Sequence, residues 1–363
     1  MRTRLIFCVC LLLNGIMGCT TEASTPLPVF DPIEATATAT LTPTVTALVL
    51  PSLGPTLSRA LSASISPSGE ALAVPMATLG MDTAPTPIAP GDTGAMERRL
   101  RNTPILYQMT TSSVRTIFEN GRLMGNRADV FTVIGDSNSS NGDFMYPLGL
   151  DQPGICEYGD TYAYLQDTTH YFSTVMDGTA HNSFTHDSQT ADRGFNTESI
   201  FDPFWASDEV CAADESPLMC EYRTTRPAAA VIMLGGIDVN SLDAERYGAN
   251  MRAIVEMSIR NGVVPILTTF VVLPDRDVYP LSLEFNMALL DIAERYQIPV
   301  INLWAAAQAL PDMGIGPDHT HLKAHVGSFC DFTGAEQEYG GTLRNLLTLE
   351  ALDMLRRDVF EEE

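Results

Sequence analysis

Val130-Phe131-Thr132-Val133-Ile134-Gly135-Asp136-Ser137-Asn138 reads as a buried strand that stops at a turn. Five β-branched or aromatic residues run into glycine, aspartate and serine, residue types that end a strand and cap the helix after it. Three further apolar runs have strand length: Ala228 to Leu234, which ends in Gly235-Gly236, then Val263 to Val272 and Pro299 to Trp304. Between and around them lie stretches with helical spacing. These are Ile105 to Leu123 ahead of Gly125, Asp243 to Arg260 stopped by Gly262, Leu281 to Tyr296, and a last helix from Gly334 to Arg357. Continuously apolar strands alternating with helices indicate βαβ units and a parallel sheet covered on both faces. The fold class expected is α/β, with functional residues beyond the carboxyl ends of the strands. The polar clusters of the sequence fall there.

Two clusters carry chemistry. Ser137 sits just past the first strand, where a helix N-terminus and neighbouring backbone N–H groups favour a developing oxyanion. A plain strand-to-helix turn reads the same way when taken alone. The second cluster is Gly316-Pro317-Asp318-His319-Thr320-His321-Leu322. A serine hydroxyl needs a base, usually histidine, and that base needs a carboxylate to fix its tautomer. Asp318 and His321 are three residues apart, which permits that contact. The alternatives are a surface histidine or a metal site from His319, His321 and His325, although the acidic ligand spacing of a HExxH zinc motif is lacking. Asp136 to Gly142 resembles the start of a calcium loop, but its glycine falls one position late and Pro147 stands where the bidentate glutamate belongs.

The order Gly-Asp-Ser early and Asp-x-x-His late, in an α/β chain, resembles the SGNH (GDSL-type) hydrolases. The resemblance spans about residues 97–345. It implies a three-layer α/β/α sandwich of flavodoxin-like type, with a mostly parallel sheet of about five strands, and an esterase that needs no metal or other cofactor. Carried over residue by residue, it makes Ser137 the nucleophile, His321 the general base and Asp318 its orienter. Gly194, within Gln189-Thr190-Ala191-Asp192-Arg193-Gly194-Phe195-Asn196, becomes the oxyanion-hole glycine beside the Ser137 amide. One block departs from the pattern. The family's Gly-x-Asn-Asp is here Gly235-Gly236-Ile237-Asp238, and Ile237 cannot donate the hydrogen bond that the asparagine supplies. Asn138 and Asn240 are the candidate substitutes.

Composition bounds the rest. The chain has 363 residues, 45% of them hydrophobic, and a formal net charge of −24, which excludes a basic nucleic-acid footprint. Met1-Arg2-Thr3-Arg4, an apolar stretch from Leu5 and Ile16-Met17-Gly18-Cys19 resemble a bacterial lipoprotein signal, 1–19, with Cys19 as the lipidated residue. Cleavage there removes Arg2 and Arg4. That leaves 45 acids against 19 bases, so an anionic membrane repels the domain and the lipid alone must anchor it. Residues 20–95 are rich in Thr, Ala, Ser and Pro, with one aromatic (Phe30) and one base (Arg59), and read as a disordered linker. Residues 96–363 form the folded domain, expected as a monomer on the outer face of a membrane.

Export makes disulfides possible for Cys156, Cys211, Cys220 and Cys330. Four cysteines allow three pairings. Cys211–Cys220 closes a short loop and is favoured, which leaves Cys156–Cys330; four buried thiols are the alternative. The irregular stretch Gln152 to Ser188 is expected to shape the pocket wall, with Tyr162, Tyr164 and Tyr171 as substrate platforms or, more simply, packing. The functional expectation is an anchored serine esterase acting on a small ester or an acylated glycan. Its rival is a catalytically impaired surface-binding protein of the same fold, with Ile237 as the mark of lost chemistry.

Overall fold

The computed structural model describes residues 88–140, 142–325 and 327–361. The expected signal with Cys19, and the expected linker up to residue 87, lie outside the described residues. Helix α1 (Thr93–Asn102) starts three residues before the expected boundary at 96, because the Asp92 carboxylate accepts the Ala95 N–H and caps it. Strand β1 (Leu106–Tyr107) and helix α2 (Ser112–Met124) then divide the stretch expected as one helix. Leu106 and Tyr107 are drawn into the sheet, and the helix begins only where the Thr111 hydroxyl accepts the Val114 N–H.

Strand β2 (Arg127–Gly135) leads into the short helix α3 (Ser137–Ser140), and α4 (Leu165–Phe172) and α5 (Pro217–Thr225) follow. Strand β3 (Pro227–Met233) is buried along its whole length, as its alanine and valine content requires of a central strand. Then come α6 (Ala244–Arg260), β4 (Val264–Thr268), α7 (Tyr279–Tyr296), β5 (Val300–Ile301), α8 (Leu303–Ala307) and α9 (Gly340–Leu355). Two strands are shorter than expected. Beyond β4, the Asn286 side chain takes both backbone groups of Phe270, at 3.0 and 2.9 Å, so no sheet partner is needed there. Beyond β5, the Asn302 side chain accepts the Ala305 N–H and starts α8, which buries Trp304. The last helix runs on into a π turn, Arg356–Phe360, whose Phe360 packs on Phe118 of α2.

The sheet order is β1-β5-β4-β3-β2, with β2 to β5 parallel and β1 antiparallel at the edge. Helices α6, α7 and α1 pack together, as do α4 and α9, so both faces of the sheet are covered. Beside β2, on the side away from β3, Ala191 makes a single parallel bridge to Gly135. The chain thus leaves β2, passes along its outer side and returns to its inner side. That reversal is the switch point at which α/β sheets open a crevice. Among the described residues no helix is long and apolar enough to cross a membrane.

Two disulfides staple the periphery, Cys156–Cys330 and Cys211–Cys220, spanning 174 and 9 positions. Next to the first, Glu157 N–H donates to Cys330 C=O and Phe332 N–H to Glu157 C=O. Loop-closure entropy rises with the length enclosed, so the two bonds contribute unequally, about 5 kcal/mol against about 3 kcal/mol in the chain-entropy account. Replacing Cys156 and Cys330 with serine should therefore lower the urea midpoint more than replacing Cys211 and Cys220. Equal midpoints for the two double variants contradict this.

Candidate active site

Gly135 closes β2 in a place that admits no side chain. A Cβ there would lie 2.1 Å from Ser139 Oγ and 2.8 Å from Met233 C=O. This close approach lets the chain turn at once into α3. The Asp136 C=O accepts the Ser139 and Ser140 N–H groups, and the Asp136 carboxylate accepts the Asn138 N–H. Asp136 is buried, and burial pushes its pKa up, against the pull of the Asn138 N–H and the Arg344 charge. The stretch with calcium-loop character is thus the start of a helix, with its first carboxylate turned inward.

Ser137 Oγ lies 2.8 Å from His321 Nε2. His321 Nδ1 lies 2.6 Å from Asp318 Oδ2. The Asp318 carboxyl, held by that hydrogen bond and by the His321 and Thr320 backbone N–H groups, sits at about 2. It is therefore an acceptor at neutral pH, Nδ1 carries the proton, and Nε2 accepts from the serine hydroxyl. His321 and Asp318 are each about half exposed, 46% and 52% at the side chain, so the imidazole is open to a substrate. Both ring nitrogens of His321 are engaged. Among the described residues His319, His321 and His325 do not come within ligand distance as a group, and the His325 ring lies against Tyr339.

Two residues hold these distant stretches together. Asn138 Oδ1 accepts the Leu322 N–H at 3.0 Å, which pins the histidine loop to the serine turn. Arg344 of α9 donates to Asn138 C=O at 2.7 Å and to Ser139 Oγ at 2.9 Å, with its guanidinium 3.6 Å from the Phe144 ring centroid. Arg344 is buried, and burial lowers its pKa while the Asp136 charge acts the other way. It was missed in the sequence. The available signal was an Arg-Asn pair in a leucine-rich helix, Gly340–Leu355, whose Asn345 in turn donates to the Asp143 and Phe329 carbonyls.

Ser137 and His321 open on a cleft of about 570 Å³, lined also by Asn138, Phe144, Gly194, Ile237 and Arg344. Gly194 has φ of +82°, a left-handed conformation that suits glycine, and its N–H has no acceptor among the described residues. It is held by neighbours rather than by its own bonds. Ser188 and Thr190 hydroxyls donate to Val133 C=O, and Gly135 N–H donates to Thr190 C=O. On the other side of Gly194, buried Asp238 accepts the Thr197 N–H and hydroxyl, and its pKa is raised by burial. The block Gly235-Gly236-Ile237-Asp238 thus uses its aspartate as a brace, while Ile237 presents an apolar side chain to the cleft.

Asn240 is corrected as a substitute donor. The turn at Asp238–Asn240 folds its amide back onto the Gly236 and Ile237 carbonyls, and it does not line the cleft. Asn138 does line it, with its oxygen given to Leu322. The stretch 152–188 is also corrected: none of it lines this cleft. The Cys156–Cys330 bond and the packing of α4 on α9 draw it to another side. Tyr162 and Tyr171 pack on Phe332 and Phe172, and the Tyr164 hydroxyl donates to Glu350.

No protein-family model matches the chain, and no curated protein matches it either. Among solved structures, similarity is found to a protein described as lipolytic and of the G-D-S-L family from Desulfitobacterium hafniense, at 18% identity and a TM-score of 0.34, covering 61% of this chain and 99% of that one. An acetylxylan esterase from Geobacillus stearothermophilus matches at 15% identity and 0.36, covering 64% and 94%. An acetyl esterase variant with bound acetate matches at 13% and 0.37, covering 62% and 98%. At these identities and scores the functional reading rests on the chain's own geometry.

A partly buried His186–Glu221 pair braces the Gly194 segment. His186 Nε2 lies 3.1 Å from an oxygen of fully buried Glu221, which also accepts the Gln189 N–H and the Thr132 hydroxyl. Burial alone lowers the His186 pKa; the Glu221 hydrogen bond and charge, with Asp187, outweigh it and raise the value above 6.5. A raised folded-state pKa stabilises fully below about pH 6.5, and that contribution is lost as pH rises through the folded value. Wild type should exceed His186→Gln by about 1–2 kcal/mol at pH 6 and by less at each step toward pH 9, measured by urea unfolding. A gap that stays constant over that range contradicts the assignment.

Proposed function

We propose that the chain is a serine esterase of SGNH type. The observation that carries the reading is the continuous contact from Ser137 Oγ through His321 to Asp318, at 2.8 and 2.6 Å, at the mouth of a cleft. In this reading the Ser137 oxygen attacks an ester carbonyl carbon while its proton passes to His321 Nε2. Asp318 stabilises the imidazolium that forms. The Ser137 and Gly194 N–H groups hold the tetrahedral oxyanion. Collapse breaks the carbon–oxygen bond to the alcohol, which leaves with the proton from His321. A water molecule then gives a proton to His321 and attacks the acyl carbon; the intermediate collapses with cleavage of the bond to Ser137 Oγ, which takes the proton back from His321 as the carboxylic acid leaves. Acetylated glycans and other small esters are the proposed substrates. We place the enzyme outside the cytoplasm, exported by its signal and anchored to a membrane through lipidated Cys19.

A second reading is favoured by one observation, the apolar Ile237 side chain lining the cleft where the resembling family has an amide donor. In that reading the fold binds an acylated surface ligand and turns it over slowly or not at all. An activated acetate ester and a serine-directed phosphonate separate the two. Wild type should hydrolyse the ester and take the label. A folded protein that does neither sinks the esterase.

Ser137→Ala should lose at least about 10⁴-fold in kcat/KM, and Asp318→Asn about 10²- to 10⁴-fold, from a misplaced tautomer. Equal rates for wild type and Ser137→Ala end the assignment of the nucleophile. A missing oxyanion donor costs about 10²–10³ in turnover. Ile237→Asn should therefore raise kcat by tenfold or more, and an unchanged rate means that another donor already completes the hole.

A further inference from the structure

Beyond the cleft, the 3₁₀ turn Pro203–Trp205 carries two aromatic rings into solvent. Phe204 is 81% exposed and Trp205 49%, in a chain whose only other tryptophan, Trp304, is fully buried. The two rings meet edge to face at 5.4 Å, and Trp205 is propped from below by buried Phe195 at 5.8 Å. A half-exposed ring held by two edge contacts offers area for stacking.

Trp205 and Phe201 border an open groove of about 420 Å³ whose remaining lining is polar: Asn196, Glu198, Asp202, Arg246 and Asn250 among it. Several of these groups are fixed at one end and uncommitted at the other. Asn196 Oδ1 accepts from Glu198 N–H, Ser199 N–H and Ser199 hydroxyl, which leaves its NH₂ with no acceptor among the described residues. Asn250 NH₂ donates to Thr197 Oγ1, leaving its carbonyl oxygen. Asp202 Oδ1 accepts the Phe204 N–H, leaving its second oxygen. Glu198 and Arg246 pair at 2.9 Å along the edge.

We propose that this groove is a neutral-oligosaccharide subsite, with one sugar ring stacked on Trp205 and its hydroxyls bonded to Asn196, Asp202 and Asn250. The chemistry selects the ligand. A pyranose has an apolar face for the ring and a rim of hydroxyls that both donate and accept. That matches one free amide donor and two free oxygen acceptors placed around an aromatic. A nonpolar peptide leaves those three groups unpaired, and a polyanion meets Asp202, Glu198 and a net charge of −24. The groove adjoins the catalytic cleft along the chain. Gly194 lines one and Asn196 the other, two residues apart, a span of at most about 7 Å. As a subsite of the active site, it rests on the esterase reading and narrows the substrate to an ester borne on a neutral glycan.

Binding is measured without turnover, on the full chain carrying Ser137→Ala. Xylohexaose, cellohexaose and chitohexaose are titrated separately, by tryptophan fluorescence and by calorimetry. At least one should give a saturable change in emission, because Trp205 is the exposed reporter. Trp205→Ala should weaken that sugar at least about tenfold by calorimetry, and Asn250→Ala about threefold or more, with the emission change retained at higher sugar concentration. If Trp205→Ala lacks a cooperative unfolding transition, Asn250→Ala decides alone. No saturable change with any of the three sugars, or a folded Trp205→Ala that binds as tightly as its parent, overturns the subsite. Ester hydrolysis by wild type without sugar binding leaves the esterase standing and removes the subsite. Sugar binding by a protein that hydrolyses no ester does the reverse.

Discussion

Asn138 is bonded at both ends, and the site depends on it. Its side-chain oxygen takes the Leu322 N–H, and its backbone oxygen takes the Arg344 guanidinium. Three segments far apart in sequence meet at this one residue: the serine turn, the histidine loop and α9. A charged donor bonded through its two terminal nitrogens to a carbonyl and a hydroxyl inside the protein makes strong bonds, because water cannot compete for them. The same desolvation makes the arrangement intolerant, since a buried guanidinium left unpaired is expensive. The 2.8 Å contact between Ser137 and His321 is downstream of that clamp.

The second half of the site is held by carboxylates as well as by the edge of β2, where Ser188 and Thr190 bond to Val133 and Gly135. Segment 186–198 makes only one bridge to β2, at Ala191, yet it has to present Gly194 to the cleft. Glu221 grips its beginning through His186 and Gln189, and Asp238 grips its end through Thr197. Both acids are fully buried; hydrogen bonds replace the lost hydration at Glu221 and at one oxygen of Asp238, whose second oxygen has no partner among the described residues. Between the two grips the chain is free to take the left-handed conformation of Gly194 and then to turn Asn196 outward. Cleft and groove are therefore consecutive products of one braced strap.

Charge distribution follows the same logic. The protein is strongly acidic, but the acids with the largest tasks are those whose surroundings are specific. Asp318 stays ionised because three N–H groups point at it, although it is half exposed. Asp136 and Asp238 are pushed the other way by burial and serve as braces. Environment, more than residue type, separates the carboxylate that holds the His321 ring from those that hold the frame.

Much of the architecture was legible because it is local. Apolar runs of strand length, helix stops at Gly125 and Gly262, and the Gly-Asp-Ser and Asp-x-x-His spacings depend on neighbours in sequence, and so did the α/β class and the meeting of Asp318 with His321. What the sequence could not supply was set by which partners the folded chain offered, near or far. Leu106 and Tyr107 became an edge strand because β5 offers unpaired backbone groups, and β5 stopped early because Asn302 found partners in Leu100 and Thr103. Asn240 looked like a donor to the cleft until its own turn claimed the amide. Arg344 and Trp205 carried no motif at all. One gains its meaning from burial under the serine turn and the other from exposure beside a polar groove, and burial and exposure are properties of the folded surface, decided only when the tertiary structure chooses which atoms water still reaches.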